Sequence, residues 1–133
     1  MATAMKASGR SRRNGSIPSK TFYEFFAGIG LVREGLASTG WNCLYANDND
    51  PKKQQQYVAR FGDTGHFHHE DVREKDKILS RLPSGASLAT ASFPCIDLSL
   101  AGNGRGFAGE HSSTFFSFAD VIAAMGANCP PIV

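Results

Sequence analysis

Thr21-Phe-Tyr-Glu-Phe-Phe-Ala-Gly-Ile-Gly30 opens as an aromatic-rich run and closes on two glycines one residue apart. Aromatic side chains fit a pleated, buried surface, so Thr21 to Phe26 is expected to be a buried strand running into a tight turn. Leu31 to Ser38 can form the next helix, with Leu31, Val32 and Leu36 on one side and closure near Gly40. The backbone amides of such a turn, with the positive end of the helix, can meet a polar or anionic ligand group. Arg33 stands where a dinucleotide-binding turn has its third glycine or alanine, so a pyrophosphate ligand is not favoured. A tight turn with no ligand is the competing reading.

Outward from this unit, strand and helix signals alternate. Trp41 to Ala46 is expected to be the second strand, and Asp50-Pro51 marks a capped helix from Pro51 to about Phe61, with Tyr57, Val58 and Phe61 facing inward and Gly62 ending it. A third strand is expected over Phe67 to Val72, a helix over Glu74 to Leu82 broken by Pro83, and a small-residue fourth strand over Ser87 to Ser92. Residues 101–112 carry four glycines and read as a loop. Thr114 to Met125 has Phe115, Phe118, Ile122 and Met125 at helical spacing and leads toward a fifth strand at Pro131. The fold class is therefore α/β: a Rossmann-like open, mostly parallel sheet with right-handed crossovers, cut off at the fifth strand.

Open α/β sheets bind ligands at the carboxyl ends of their strands. Asp48 falls at such an end, 20 residues after Gly28, where a carboxylate can accept hydrogen bonds from ribose hydroxyls; the alternative is a solvated turn acid among Asn47, Asn49 and Asp50. Asp71 follows the third strand on the same edge, where spacing alone fits a ligand, capping or surface role equally well. Cys95 follows the fourth strand, after Pro94 fixes one backbone torsion, and reads as a nucleophile by position, since an isolated cysteine is otherwise a small buried hydrophobe. His66, His68 and His69 lack a partner at metal-ligand spacing, and no metal is expected.

The 133 residues fit one domain, and the net charge of +2 by itself does not advertise nucleic-acid binding. Residues 1–20 hold Lys6, Arg10, Arg12, Arg13 and Lys20 without an acid, and are expected to be a basic, disordered arm. Their composition is also that of an organelle transit peptide, but Gly9, Gly15 and Pro18 argue against the amphipathic helix such a segment needs. The three cysteines are far apart, which points to a reducing compartment, and no apolar run approaches the roughly 20 residues that span a bilayer. A soluble, cytoplasmic protein is expected, nucleoid-associated if bacterial.

Together the motifs resemble the DNA cytosine-5 methyltransferase family. The resemblance runs in unbroken order through Phe25-Phe-Ala-Gly-Ile-Gly30, Ala46-Asn-Asp-Asn-Asp50, Glu70-Asp-Val72, Phe93-Pro-Cys95, Gly102-Asn-Gly-Arg-Gly-Phe107 and Ser113-Thr-Phe-Phe116. It implies S-adenosylmethionine as cofactor, with Phe26 against the adenine, the backbone from Ala27 through Gly28 and Ile29 to Gly30 beside it, Asp48 at the ribose with Asn49 next to it, and Asp71 at the adenine amine with Val72 next to it. It also implies that Cys95 adds to carbon 6 of a cytosine flipped out of duplex DNA, and that Ser99, Gly102 and Arg105 contact the DNA backbone from a closing loop. Glu24 stands where the family usually has aspartate, Asn49 where some members hold an aromatic, and His111 where arginine is common. The family's Glu-Asn-Val motif would follow Val133. Residues 21–133 are thus expected to be a partial catalytic domain that is inactive alone. A subunit of a split methyltransferase completed by a second polypeptide, or a non-catalytic nucleotide-binding or DNA-associated module, are the alternatives, and a nicotinamide dehydrogenase would leave Cys95 idle.

Overall fold

The computed structural model describes residues 19–94 and 112–133. Four strands, β1 (Thr21–Phe25), β2 (Asn42–Asp48), β3 (Phe67–His69) and β4 (Leu88–Ala91), form one sheet in the order β3-β2-β1-β4, with every pair parallel. Ile132 adds a parallel bridge outside β4, through the Ala89 N–H to Ile132 O bond of 2.9 Å, which is where the fifth strand was expected. Four helices, α1 (Leu31–Ala37), α2 (Pro51–Phe61), α3 (Lys75–Arg81) and α4 (Ser112–Ala124), complete the described elements with a short 3-10 turn at Gly126–Asn128. The sheet is the α/β architecture that the alternating pattern dictates.

Strands covered on both faces must be apolar on both, and β1 shows it. Tyr23 and Phe25 face one core with Tyr45, Val72, Ile78, Phe118 and Val121, which α3 and α4 close. Phe22 faces the other with Cys43, Ala46 and Tyr57, which α1 and α2 close through Val32, Leu36 and Phe61. Ser19 and Lys20 are already tied to the fold, the first through its hydroxyl to Gly85 O at 3.1 Å and the second through Nζ to Thr39 O at 2.8 Å.

α2 spans the expected residues because the Asp50 carboxylate accepts the Lys52 N–H at 2.9 Å, Pro51 starts the helix and the Gly62 N–H closes it on Val58 O. Three expectations shift. β2 runs two residues further, to Asp48, so Asn47 and Asp48 are strand residues and buried. β3 is only three residues long, because the chain turns at Asp71, whose carboxylate accepts the Arg73 N–H at 2.9 Å while its own N–H donates to Glu74 Oε2 at 3.1 Å. Leu31, expected on the inner face of α1, is 73% exposed, and Val32 and Leu36 alone carry that face. Among the described residues no helix is long and apolar enough to cross a membrane.

Candidate ligand site at the carboxyl edge of the sheet

The ends of β1, β2 and β3 converge, and β2 stitches the other two to itself. Asn47 is 2% exposed; its Oδ1 accepts the Phe26 N–H at 3.3 Å, its backbone oxygen accepts the Ala27 N–H at 2.8 Å, and its Nδ2 donates to Glu70 O at 3.3 Å. Asp48, also buried, accepts the Gly28 N–H on Oδ2 at 2.9 Å and the Asp50 N–H on Oδ1 at 3.0 Å, with Lys53 Nζ at 3.9 Å. Two backbone donors fill two of a carboxylate's roughly four lone-pair sites and leave the others for a ligand. Asp48 is therefore a built-in acceptor and not a solvated turn acid.

Phe26 has φ of +55°, the left-handed conformation that a bulky residue rarely adopts and that costs on the order of 1–3 kcal/mol. Its neighbours hold it there and its half-buried ring becomes a wall of a cavity of about 190 Å³. That cavity brings together Phe26, Asp48, Asn49, Asp71, Val72 and Pro94, six of the residues singled out in the sequence. A second cavity of about 290 Å³ shares Phe26 and is lined by Ala27, Gly28 and Ile29 with Glu24, Lys53 and Ser92. Gly30 lies apart, against α2.

The two motif glycines do different work. Among the described residues, a Cβ on Gly28 would meet only Lys53 Cδ, at 4.0 Å, so its backbone lies open to close approach. A Cβ on Gly30 would fall 2.4 Å from Phe61 Cε2 and 2.9 Å from Tyr57 Cε2, so Gly30 is what lets the head of α1 sit on α2. Arg33 turns to the same place, with its guanidinium 4.3 Å from the Phe61 ring centroid and Nη1 donating to Tyr57 OH at 3.2 Å and to His66 Nε2 at 2.6 Å. Because arginine cannot accept, Nε2 of His66 carries the lone pair, and Nδ1 faces the Thr64 hydroxyl. Burial, then the Arg33 charge, hold the imidazole down at about 4.

Glu24, at the end of β1, is 2% exposed. Oε1 accepts the Arg33 N–H at 3.4 Å, Oε2 has no partner among the described residues, and burial pushes the carboxyl up to about 7. Asp71 goes the other way. Arg73 forks onto it with Nε 2.9 Å from Oδ1 and Nη2 2.7 Å from Oδ2, and this pairing holds its carboxyl down at about 2. Asn47, Glu70, Arg73 and Thr114 line the first cavity beside the expected residues. The signal for Asn47 was its place at the inner end of a strand buried on both faces; for Arg73, its place two residues after an aspartate in a turn. Phe93 packs its ring 5.1 Å from Phe115 next to Pro94. Cys95, Ser99, Gly102 and Arg105 lie outside the described residues.

The C-5 cytosine-specific DNA methylase family matches residues 20–128. The chain belongs to this family. Among its relatives in the family, Type II methyltransferase M.HpaII of Haemophilus parainfluenzae is 33% identical over 103 residues, which cover 77% of this chain and 27% of that protein. Type II methyltransferase M.HhaI of Haemophilus parahaemolyticus is 33% identical over 101 residues, covering 76% and 29%. The fold is that of S. pombe Dnmt2 methyltransferase, with a TM-score of 0.62 at 21% identity over 84% of this chain and 34% of that one. The chain thus spans 27% to 34% of the length of these methyltransferases.

Proposed function

We infer that the chain supplies the cofactor site and the nucleophile of a DNA cytosine-5 methyltransferase that uses S-adenosylmethionine. The observation that carries this reading is the cavity where Phe26, Asp48, Asn49, Asp71, Val72 and Pro94 meet, beside the open backbone of Gly28. The residues fit the cofactor by chemistry. An aromatic wall suits a purine face, a buried carboxylate with lone pairs to spare suits vicinal hydroxyls, and a second carboxylate suits a ring amine. The orphan Oε2 of Glu24 in the adjoining cavity suits a cationic or hydrogen-bond-donating group. Bound there, the cofactor supplies an electrophilic methyl group.

The chain's own part is then to bind, orient and attack. Phe26 covers the base, Asp48 holds the ribose, Asp71 meets the amine, and Asn49 and Val72 fill the wall between. Pro94 sets the backbone before Cys95, whose thiolate adds to carbon 6 of a cytosine flipped from duplex DNA and makes carbon 5 nucleophilic; once carbon 5 carries the methyl group and has given up its proton to a base, the carbon 6–sulfur bond breaks and departure of the thiolate restores the ring's aromaticity. Ser99, Gly102 and Arg105 contact the DNA backbone and close over the base. The partners in this reading are double-stranded DNA and the segments that make up the rest of the relatives' length, on this chain or on a second polypeptide. The relatives' names as type II methyltransferases support a restriction-modification setting.

The test is calorimetric titration of the chain with S-adenosylmethionine and S-adenosylhomocysteine, with Asp48→Ala as control and circular dichroism to show that the variant is folded. Saturable binding that the substitution removes is the expected result. A folded wild-type chain that binds neither ligand overturns the reading.

A further inference from the structure

The turn after β3 sets Asp71 and Arg73 side by side on the cavity wall. Four N–H donors reach the Asp71 carboxylate. Arg73 gives its backbone N–H and Nε to Oδ1, both at 2.9 Å, and Nη2 to Oδ2 at 2.7 Å; Asn49 Nδ2 reaches Oδ2 at 3.4 Å. An ionised carboxylate offers about four lone-pair sites, so these donors fill it. A ring amine that comes to Asp71 from the cavity must take a site from one of them. The backbone donor is fixed by the turn, and Asn49 gives only one long bond. The guanidinium fork holds the two sites that matter, and its side chain is 52% exposed, so it can swing into water.

We propose that Arg73 is a positioning residue that sets how strongly the site prefers a purine bearing an amine at carbon 6, by occupying Asp71 with a fork the amine must open. The proposal rests on the reading of Asp71 as the amine's partner. It makes two readouts differ from those of a structural residue. First, removing the fork helps only ligands that carry the amine; for an exposed ion pair the gain is about two- to fivefold in affinity. Second, salt screens an exposed pair, so raising ionic strength strengthens the wild-type chain's hold on an amine ligand and leaves the forkless variant unchanged.

The experiment titrates the full chain with S-adenosylhomocysteine and with its analogue carrying hydrogen in place of the amine at carbon 6, at 50 and 500 mM salt (concentrations on the order of those spanned by strong and weak screening). The proteins are wild type, Arg73→Met and Asp71→Asn. Arg73→Met is expected to bind S-adenosylhomocysteine about two- to fivefold more tightly, to bind the analogue as wild type does, and to lose the salt dependence. Weaker binding by Arg73→Met, or an equal change for both ligands, overturns the proposal and makes Arg73 a direct ligand contact or a structural residue. If Asp71→Asn leaves the discrimination between the two ligands unchanged, Asp71 is not the amine's partner and the proposal falls with that assignment, while the cofactor site stands. No binding of either ligand by a folded chain overturns the cofactor site and, with it, the proposal.

Discussion

Gly30→Ala should cost far more stability than Gly28→Ala, although both glycines belong to one motif and both have positive φ, +87° and +57°. The left-handed conformation alone costs an alanine about 1–2 kcal/mol at either site. At Gly28 little else is added, because among the described residues the new Cβ has only Lys53 Cδ within 4.0 Å. At Gly30 the Cβ would lie 2.4 Å from Phe61 Cε2 and 2.9 Å from Tyr57 Cε2, and Tyr57 is fully buried and cannot retreat. Overpacking of this kind adds about 1–3 kcal/mol, giving a total of about 2–5 kcal/mol for Gly30→Ala. That is a large share of the roughly 5–15 kcal/mol that holds a typical domain together. Urea unfolding followed by circular dichroism measures both variants. Phe61→Leu removes the ring edge that the Cβ strikes, so in that background the cost of Gly30→Ala should shrink by at least about 1 kcal/mol. Equal costs for the two glycines, or a Gly30→Ala cost that Phe61→Leu does not change, would refute the argument that Gly30 is there for helix packing.

The pH dependence of stability should expose two opposed groups. Glu24, raised from 4.5 to about 7, contributes stability that is complete below 4.5 and lost as pH rises through 7, by about 3 kcal/mol; His66, lowered from 6.5 to about 4, contributes stability that is complete above 6.5 and lost as pH falls toward 4. Between pH 4.5 and 6.5 the slopes oppose, so the wild-type urea midpoint should change little there, whereas that of Glu24→Gln should climb with pH; a flat profile for the variant would sink the assignment. Asn47→Ala should cost about 1–3 kcal/mol and weaken cofactor-analogue binding, because it strips partners from both the Phe26 N–H and the Glu70 carbonyl; an unchanged unfolding midpoint would count against the clasp.

The order of elements was readable because its signals are local. Pro51 after Asp50, Gly62 at the end of a helix and the aromatic run of β1 each dictate a boundary by sterics or capping that tertiary contacts do not overrule. The meeting of Asp48 and Asp71 in one cavity was legible for a different reason, since parallel strands joined by helices must bring their carboxyl ends to one edge, whereas Phe26 entered only through the family resemblance. What stayed hidden depends on neighbours distant in the chain. The chemistry of Asn47 does not separate it from the exposed Asn49 two residues on; only the extension of β2 buries one and frees the other. Glycine's silence about its reason hid the division of labour between Gly28 and Gly30, which Phe61 and Tyr57 decide from another helix. Leu31 was misplaced because a seven-residue helix has too few turns for its apolar stripe to be unambiguous.

The last two residues of β2 fasten the loops after β1 and β3 at once, and this restricts how such a pocket can diverge. A substitution at Asn47 moves both walls together, and one at Asp48 moves the loop after β1 with the head of α2, so either alters the shape of the recess before it alters any one contact. Asn49 and Arg73 reach the Asp71 carboxylate from the solvent side, so they touch the recess at its rim and not at the strand end. Lineages that retune ligand preference on this scaffold should therefore do so from the rim inward, with the strand end as the fixed point around which the rim drifts.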